Sequence, residues 1–217
     1  MDFFSPELLA LMFAAGFFAG LVDAIAGGGG LITLPVLLTV GLSPVQAIAT
    51  NKLQGSFGTF SATLSFVRKG HLDIKAWILP IVLTFAGAGS GVLVLRSVDS
   101  SFLVDAIPFL LVAIALYFLF QRKLGDEDRH QRISRNVFAF FFGTGIGFYD
   151  GFFGPGTGSF FTLGVVTLLG YNMLKATAHA KLLNFTSNFA SLLFFLFSDS
   201  LVWSVGLIMA CGSITGG

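Results

Sequence analysis

The sequence predicts an all-α, polytopic helical membrane protein with two internally duplicated halves that contain broken or half-length helices. Three observations predict this fold class. Hydrophobic residues make up 55% of the chain and charged residues only 11%, with a mean hydropathy of +0.88. The apolar residues form long continuous runs rather than alternating with polar ones, which favours helices over a membrane β-barrel. Two glycine-rich stretches recur in similar surroundings, which indicates duplication.

The low charge content restricts the kind of surface that the chain can have. Soluble domains carry about 25% charged residues, and a domain of this size still exposes roughly 30% of its unfolded surface. A chain with so few charged side chains therefore needs lipid around its outer face. In lipid every backbone polar group must be paired within the chain, which restricts spanning structure to helices and closed barrels. The net charge of +1 gives no case for a nucleic-acid partner.

Nine apolar segments follow one another along the chain. A straight membrane span needs about 20 residues, so segments 31–42 and 160–169 either cross with a strong tilt, are half-length, or re-enter. Short, glycine-interrupted segments in matching positions of two halves are typical of transporter binding sites. The nine segments are 8–26, 31–42, 45–67, 76–95, 102–120, 137–149, 160–169, 174–197 and 201 to the end.

Two parts of the chain repeat the same order of motifs, and internal duplication is the simplest explanation. Each part has an acidic residue, then a glycine-rich stretch, then a lysine on the next long segment. A tryptophan followed by two glycines also recurs further on. The matching features are Asp23, glycines 27–30, Lys52, Trp77, Gly87 and Gly91 in the first part, and Asp150, residues 154–158, Lys181, Trp203, Gly212 and Gly216 in the second.

The predicted halves are residues 1–135 and 136–217, and the second half is expected to be incomplete at its C-terminus. The first half ends in a basic loop at 121–135, and a second basic loop lies at 68–75. Lysines and arginines in short loops favour the cytoplasm, so both loops are predicted to be cytoplasmic. If segment 31–42 crosses fully, the halves are inverted; if it re-enters, they are parallel. Inversion is favoured because it is common in transporters.

Ionisable residues within the apolar segments indicate a functional site. Each costs at least about 2.5–3.5 kcal/mol on membrane-insertion scales, and two acids and two lysines stand at matching positions of the two halves. The remaining three, Asp105, Lys175 and His179, have no such counterpart. Asp105 and Lys175 lie near segment ends, where a side chain can reach the interface. The four matching residues are Asp23, Lys52, Asp150 and Lys181.

The glycine-rich stretches are predicted to break one helix and begin another. A helix start presents free N–H groups and the positive end of the helix dipole, and glycines let the backbone approach a ligand closely. Such a start binds anions well, and the lysines would add positive charge. Asp23 and Asp150 are assigned a structural or coupling role. The predicted substrate-binding residues are Gly27, Gly28, Gly29, Gly30, Thr50, Asn51, Lys52, Gly154, Gly156, Gly158, His179, Lys181 and Asn184, with Asn188 as a further donor.

Structural interpretations of the same residues stay open at this point. The glycines could serve helix packing. The acids and lysines could form ion pairs within each half, Asp23 with Lys52 and Asp150 with Lys181. His179 could be a packed histidine or could handle protons.

Several enzyme and cofactor signatures are absent from the sequence. Glycines 27–30 are not followed by the Gly-Lys-Ser/Thr of a P-loop, and no zinc-binding spacing or nucleophile elbow occurs. With one cysteine, Cys211, no internal disulfide can form. We therefore predict no catalytic residues, no metal, no cofactor and no enzymatic activity, and transport driven by gradients rather than by ATP.

The stretches 20–35, 49–53, 147–155 and 175–184, which carry these motifs, resemble the bacterial sulfite exporter TauE/SafE family, and its branch of membrane transporters in particular. The resemblance covers nearly the whole chain. It implies a duplicated multi-helix module in the cytoplasmic membrane that transports sulfite, sulfoacetate and related sulfur-containing or organic anions. The family pattern continues beyond the equivalent of residue 217, in agreement with an incomplete second half.

The sequence thus predicts a multi-pass secondary transporter of the bacterial cytoplasmic (inner) membrane. It would export small anions such as sulfite, organosulfonates or related anions, with the lipid bilayer and the anion as partners; a homo-oligomer is compatible with the sequence. One half would rock against the other to give alternating access. An anion channel and an accessory subunit of a larger complex are the alternatives. A membrane-embedded enzyme based on His179 would need a second catalytic group that the sequence does not show.

Overall fold

The computed structural model describes residues 5–120, 127–128 and 130–217, and all regular structure within them is helical. Residues 121–126 and 129 of the predicted basic loop 121–135 lie outside the described residues. The helices are α1 (Pro6–Ala26), α2 (Gly30–Thr39), α3 (Pro44–Arg68), α4 (Ile78–Leu95), α5 (Ser100–Phe120), α6 (Arg135–Phe138), α7 (Thr144–Phe152), α8 (Thr157–Leu169), α9 (Met173–Phe195) and α10 (Trp203–Gly216). A 3-10 turn at Lys75–Trp77 precedes α4, and a π turn at Ala139–Gly143 joins α6 to α7.

Polar capping residues fix the starts of the long helices. Ser43 caps α3 in a reciprocal capping box with Gln46, and Pro44 occupies the first helical position. Asn172 caps α9 by accepting from the Lys175 N–H. These side chains satisfy N–H groups that a helix start leaves unpaired. All nine apolar segments are confirmed as helical, with the sixth containing the π turn.

Left-handed glycines interrupt the chain at both predicted breaks. α1 ends at Gly27, which has a φ of +74° and donates its N–H to the Asp23 carbonyl. α7 is separated from α8 by a turn in which Gly154 has a φ of +106°. Side chains other than glycine rarely adopt these conformations. The two short helices that the sequence predicts after the glycine breaks are therefore α2 and α8.

The helices pack as two bundles that each mix early and late parts of the chain. The first bundle contains α1, α2, α3 and α10, and the second contains α4, α7, α8 and α9. Within them α1 runs along α10, and α4 runs along α7. The main contact between the bundles is α3 against α9. The bundles therefore do not coincide with the predicted halves 1–135 and 136–217, because α4 packs with helices of the second half and α10 with helices of the first. The duplication itself stays a prediction.

Glycines allow the exchanged helices to approach closely. A Cβ atom on Gly20 of α1 would lie 2.8 Å from the Cα of Ser213 in α10, and one on Gly151 of α7 would lie 2.7 Å from the carbonyl carbon of Ala88 in α4. Contacts this short leave no room for a side chain. Small residues at helix contacts are typical of membrane proteins, where close backbone packing drives association.

The outer surface of the described residues is strongly apolar. Phe109, Phe141 and Phe197 are more than 70% exposed, as expected where lipid is the solvent. By length and composition, two helical stretches are candidates to cross a membrane, Pro6–Ala26 and Lys75–Leu95, and four shorter apolar helices accompany them. The chain is an all-α membrane protein.

Candidate functional site

The two glycine breaks meet around a small central cavity. Its volume is about 40 Å³, which is room for roughly three water molecules. The first residues of both α2 and α8 line it, together with one face of α3 and one of α9. The lining residues are Asp23, Gly27, Gly29, Gly30, Asn51, Gln54, Gly55, Gly58, Thr59, Asp150, Gly154, Gly156, Thr157, Gly158, Asn184, Asn188 and Ser213.

The two breaks touch each other directly. A Cβ atom on Gly27 would lie 2.6 Å from the carbonyl carbon of Gly158, and one on Gly30 would lie 3.2 Å from the Cα of Pro155. The positive ends of two short helices therefore converge on one space. This is the geometry by which backbone N–H groups and helix dipoles attract an anion.

Two buried ion pairs cross between the predicted halves. Lys52 Nζ on α3 lies 2.7 Å from Asp150 Oδ1 at the end of α7, and both side chains are 1% exposed. Lys181 Nζ on α9 lies 2.7 Å from Asp23 Oδ2 at the end of α1. The interpretation that Asp23 pairs with Lys52, and Asp150 with Lys181, is wrong. Each lysine instead neutralises the aspartate that precedes the other half's glycine break, because α3 and α9 cross at the centre.

The pair of Lys52 and Asp150 is incompletely satisfied. Thr157 Oγ1 donates to Asp150 Oδ1 at 2.7 Å. Asp150 Oδ2 is buried without a hydrogen-bond partner among the described residues, and Lys52 Nζ makes no hydrogen bond of regular geometry despite its short distance to Oδ1. Buried polar atoms without partners are rare, so this pair has unused capacity for a ligand.

Lys181 is held more firmly than Lys52. Its ammonium donates to both the carboxylate and the backbone carbonyl of Asp23. The Asp23 side chain is 20% exposed, against 1% for Asp150. The two ion pairs therefore match in layout but differ in how many of their bonding positions are filled.

The carboxylates, and not the lysines, line the cavity. Asp23 and Asp150 are among its lining residues, whereas Lys52 and Lys181, which are paired with them, are not. The predicted substrate-binding residues Lys52 and Lys181 are thus paired with carboxylates in this conformation and do not line the cavity. The reason is electrostatic: a buried ammonium without a partner is far costlier than one paired with a carboxylate.

Amide and hydroxyl groups complete the wall. Asn51 Oδ1 accepts from Thr33 Oγ1 at 2.6 Å, and Asn188 donates to Asn184 Oδ1 at 3.0 Å. Sequence reasoning missed several lining residues that share one face of α3 at spacings of three or four. That spacing was the available signal, since it repeats along a helix face. The missed residues on α3 are Gln54, Gly55, Gly58 and Thr59; Thr157 at the start of α8 and Ser213 on α10 were also missed.

Besides the two lysines, three predicted binding residues do not line the cavity. Thr50 accepts a hydrogen bond from the Val202 N–H, which holds the start of α10 against α3. Gly28 is in the first break but does not line the cavity. His179 packs against Trp77 with ring centroids 4.3 Å apart, and its Nδ1 contacts the Lys175 carbonyl at 2.7 Å.

His179 belongs to a second, larger cavity of about 600 Å³. This cavity adjoins the predicted cytoplasmic loops and has a rim with Arg135 and with an ion pair of Lys175 and Asp128 at 2.5 Å. A hydrogen bond from Lys175 and one from the Asn172 N–H hold the pKa of Asp128 below its usual value. The same histidine therefore cannot be counted among the residues of the central cavity.

Trp77 and Trp203 occupy different environments. Trp77 is buried against Phe138 and Tyr171, whereas Trp203 is 49% exposed. The match between these two tryptophans in the sequence does not extend to their packing. No group of three or more potential metal-binding side chains occurs among the described residues.

Comparison with known proteins identifies similar chains over almost the entire length. The family model of the sulfite exporter TauE/SafE matches residues 12–217. A "probable membrane transporter protein" of Haemophilus influenzae is 50% identical over 97% of this chain and 82% of its own length. "Probable membrane transporter protein ORF9" of Sinorhizobium sp is 51% identical over 97% and 80%, and "probable membrane transporter protein YfcA" of Escherichia coli K12 is 47% identical over 98% and 79%. No solved structure matches significantly.

Proposed function

The chain belongs to the sulfite exporter TauE/SafE family and is a membrane transporter of that type, and we propose that it exports small anions by a secondary mechanism. The proposed substrates are sulfite, organosulfonates or related sulfur-containing and organic anions. The similar proteins are named as transporters rather than enzymes. The proposed location is the bacterial cytoplasmic membrane, which the chain crosses several times.

The central cavity is the observation that carries this proposal. Two helix starts converge on it, and one buried lysine is paired with each of its two carboxylates. Its volume of about 40 Å³ suits an anion of a few non-hydrogen atoms. An anion there would accept from the N–H groups at the starts of α2 and α8 and from the amides of Asn51 and Asn184.

The buried lysines supply the selectivity for negative charge. Lys52 lies against the second glycine break, since a Cβ atom on Gly154 would be 2.6 Å from its Nζ. An anion that displaces Asp150 from Lys52 exchanges one charge-assisted contact for another. Lys52 is therefore the proposed substrate lysine, and Lys181 the anchor of the first break.

Alternating access follows from relative movement of the two mixed bundles. The contact of α3 with α9 joins the bundles, and both ion pairs cross between them: Lys52 with Asp150, and Lys181 with Asp23. The moving units are thus the bundles rather than the sequence halves. An anion that binds at these ion pairs can then change a contact between the two bundles, on which their relative movement depends.

Flux of labelled sulfite through proteoliposomes tests the proposal. Wild-type protein should give saturable export, and Lys52→Ala should lower kcat/KM at least tenfold. Lys175→Ala is the matched control, because it removes a lysine from the exposed rim of the second cavity, where the side chain is 52% exposed. This control should keep kcat/KM within twofold of the wild type.

The outcome also separates the competing functions. Equal sulfite flux in wild type, Lys52→Ala and Lys181→Ala would end the proposed site. A current that rises without saturation would indicate a channel instead. Absence of flux in the purified chain, together with copurification of a second membrane protein, would indicate an accessory subunit.

A further inference from the structure

The charge balance of the central cavity carries an inference about coupling, which rests on the proposed function. Two aspartates and two lysines form two ion pairs, so the buried set is neutral as paired. The cavity wall exposes the two carboxylates. An anion that entered alone would add uncompensated negative charge to a buried site beside two carboxylates. Burial of an unpaired charge is strongly unfavourable.

Lys52 can accept an anion only if Asp150 is compensated. Asp150 Oδ1 keeps the hydrogen bond from Thr157 when Lys52 turns to the anion, but Oδ2 has no partner among the described residues. The carboxylate would then be an isolated charge with a side chain 1% exposed. Protonation removes that charge, and a buried carboxylate without a cation favours its neutral form.

We propose that Asp150 binds a proton each time an anion displaces it from Lys52, so that the protein couples anion movement to proton movement. The proton comes from the aqueous phase to which the cavity is then open and adds to Oδ2, giving a neutral carboxylic acid. No bond other than this O–H bond forms. When the anion leaves on the opposite side of the membrane, Asp150 loses the proton to the aqueous phase that the anion enters and pairs with Lys52 again.

The charged groups around Asp150 agree with this assignment. Lys52 faces it from α3, and Asp23, paired with Lys181, lies across the cavity from α1. Tyr149 precedes it and donates its hydroxyl to the Pro155 carbonyl. α4 and α8, which pack beside α7, contain no titratable residues. α9, which also packs against α7, contributes Lys181, and this lysine is paired with Asp23. Among the residues that the structure describes, Lys52 alone forms an ion pair with Asp150.

The second ion pair has a different role. Lys181 contacts both the carboxylate and the backbone carbonyl of Asp23, so displacing it would break two contacts with the end of α1. Asp23 is also 20% exposed, which lowers the cost of leaving it charged. One proton per anion follows, bound at Asp150 and not at Asp23.

One proton per monovalent anion makes transport electroneutral. A pH difference of one unit should then maintain about a tenfold anion gradient. A membrane potential should leave that gradient unchanged, whereas a uniporter would respond with about a 50-fold gradient per 100 mV. Methanesulfonate is the suitable probe, because its sulfonate does not titrate near neutral pH and carries no proton of its own.

The test measures methanesulfonate and protons separately in the same proteoliposomes, with a labelled anion and an internal pH dye. Wild type should move one proton with each anion and should accumulate methanesulfonate on the alkaline side, independently of the membrane potential. Asp150→Asn, which resembles the protonated residue in shape, should retain exchange of methanesulfonate across the membrane but move no protons. Asp128→Asn removes an exposed carboxylate outside the cavity and should keep the wild-type stoichiometry.

The possible failures are distinguishable. Saturable methanesulfonate flux that follows the potential and moves no protons would overturn the coupling and leave the proposed function intact. Flux that needs Na⁺ and ignores pH would overturn it as well. Absence of saturable flux of both methanesulfonate and sulfite would overturn the proposed function and the coupling together. If Asp150→Asn does not fold, the wild-type stoichiometry and its independence of potential decide the question.

Discussion

Lys52 and Asp150 come from different parts of the sequence and form an ion pair of 2.7 Å in which both side chains are 1% exposed. The lysine is on α3 of the first bundle, and the aspartate is at the end of α7 in the second. A single contact thus links the two bundles, the glycine break at Gly154 and the cavity. Its properties lead to the first prediction.

Removing one partner of this pair should destabilise the protein far more than removing both. Lys52→Met leaves the Asp150 carboxylate buried without a cation, and such changes cost roughly 3–5 kcal/mol. The double change Lys52→Met with Asp150→Leu removes both charges and should recover most of that stability without restoring transport. Thermal unfolding in detergent, followed by fluorescence, measures both variants. If the double variant unfolds at as low a temperature as Lys52→Met, the stability of the pair depends on other contacts and the prediction is wrong.

Gly27→Ala should separate the two glycine breaks. The left-handed conformation alone costs about 1–2 kcal/mol for a residue with a Cβ atom, and the new atom would lie 2.6 Å from Gly158. We expect a lower unfolding temperature and at least a tenfold loss of sulfite flux. Gly145→Ala is the control, because a Cβ atom there meets nothing within 4 Å. Equal behaviour of the two variants would contradict direct contact between the breaks.

His179→Gln should affect stability and not anion recognition. The imidazole packs on Trp77 and Tyr171 in the second cavity, and loss of an aromatic contact costs about 0.5–1.5 kcal/mol. The KM for sulfite should stay within twofold of the wild type, as measured by flux in proteoliposomes. A rise in KM of tenfold or more would assign His179 to the substrate path.

Covalent links should distinguish movement of bundles from movement of halves. The rings of Phe60 on α3 and Phe185 on α9 are in tilted contact with centroids 5.3 Å apart, so cysteines there can be joined by a short bifunctional reagent in a Cys211→Ala background. This link between the bundles should abolish flux, and cleavage of the linker should restore it. Cysteines at Thr84 and Gly143 provide the control within the second bundle, because a Cβ on Gly143 would lie 3.3 Å from Thr84 Oγ1. That link should leave flux intact.

Local features of the fold could be predicted from the sequence. Apolar runs gave the helices, and the glycine-rich stretches gave the breaks before α2 and α8, because chain stiffness and hydrophobicity act over a few residues. The four residues of the two ion pairs could also be identified, since charges within apolar segments have few structural uses.

Which distant residues contact each other in the folded protein could not be predicted in the same way. Duplication makes the two aspartates equivalent, so the pattern alone cannot decide whether Lys52 pairs with Asp23 or with Asp150. The crossing of α3 and α9 decides it, through packing between residues far apart in the chain. The same limitation misplaced His179, which is two residues from Lys181 and therefore points to a different face of α9.

The measurement that tests the central claim most directly is the position of a bound anion. Selenite resembles sulfite in shape and charge and can be located by its anomalous scattering in crystals grown with it. We predict a selenium peak in the central cavity, within hydrogen-bonding distance of Lys52 Nζ and beside the starts of α2 and α8. A peak confined to the second cavity near His179, with the ion pair of Lys52 and Asp150 intact and the central cavity empty at saturating selenite, would contradict the account.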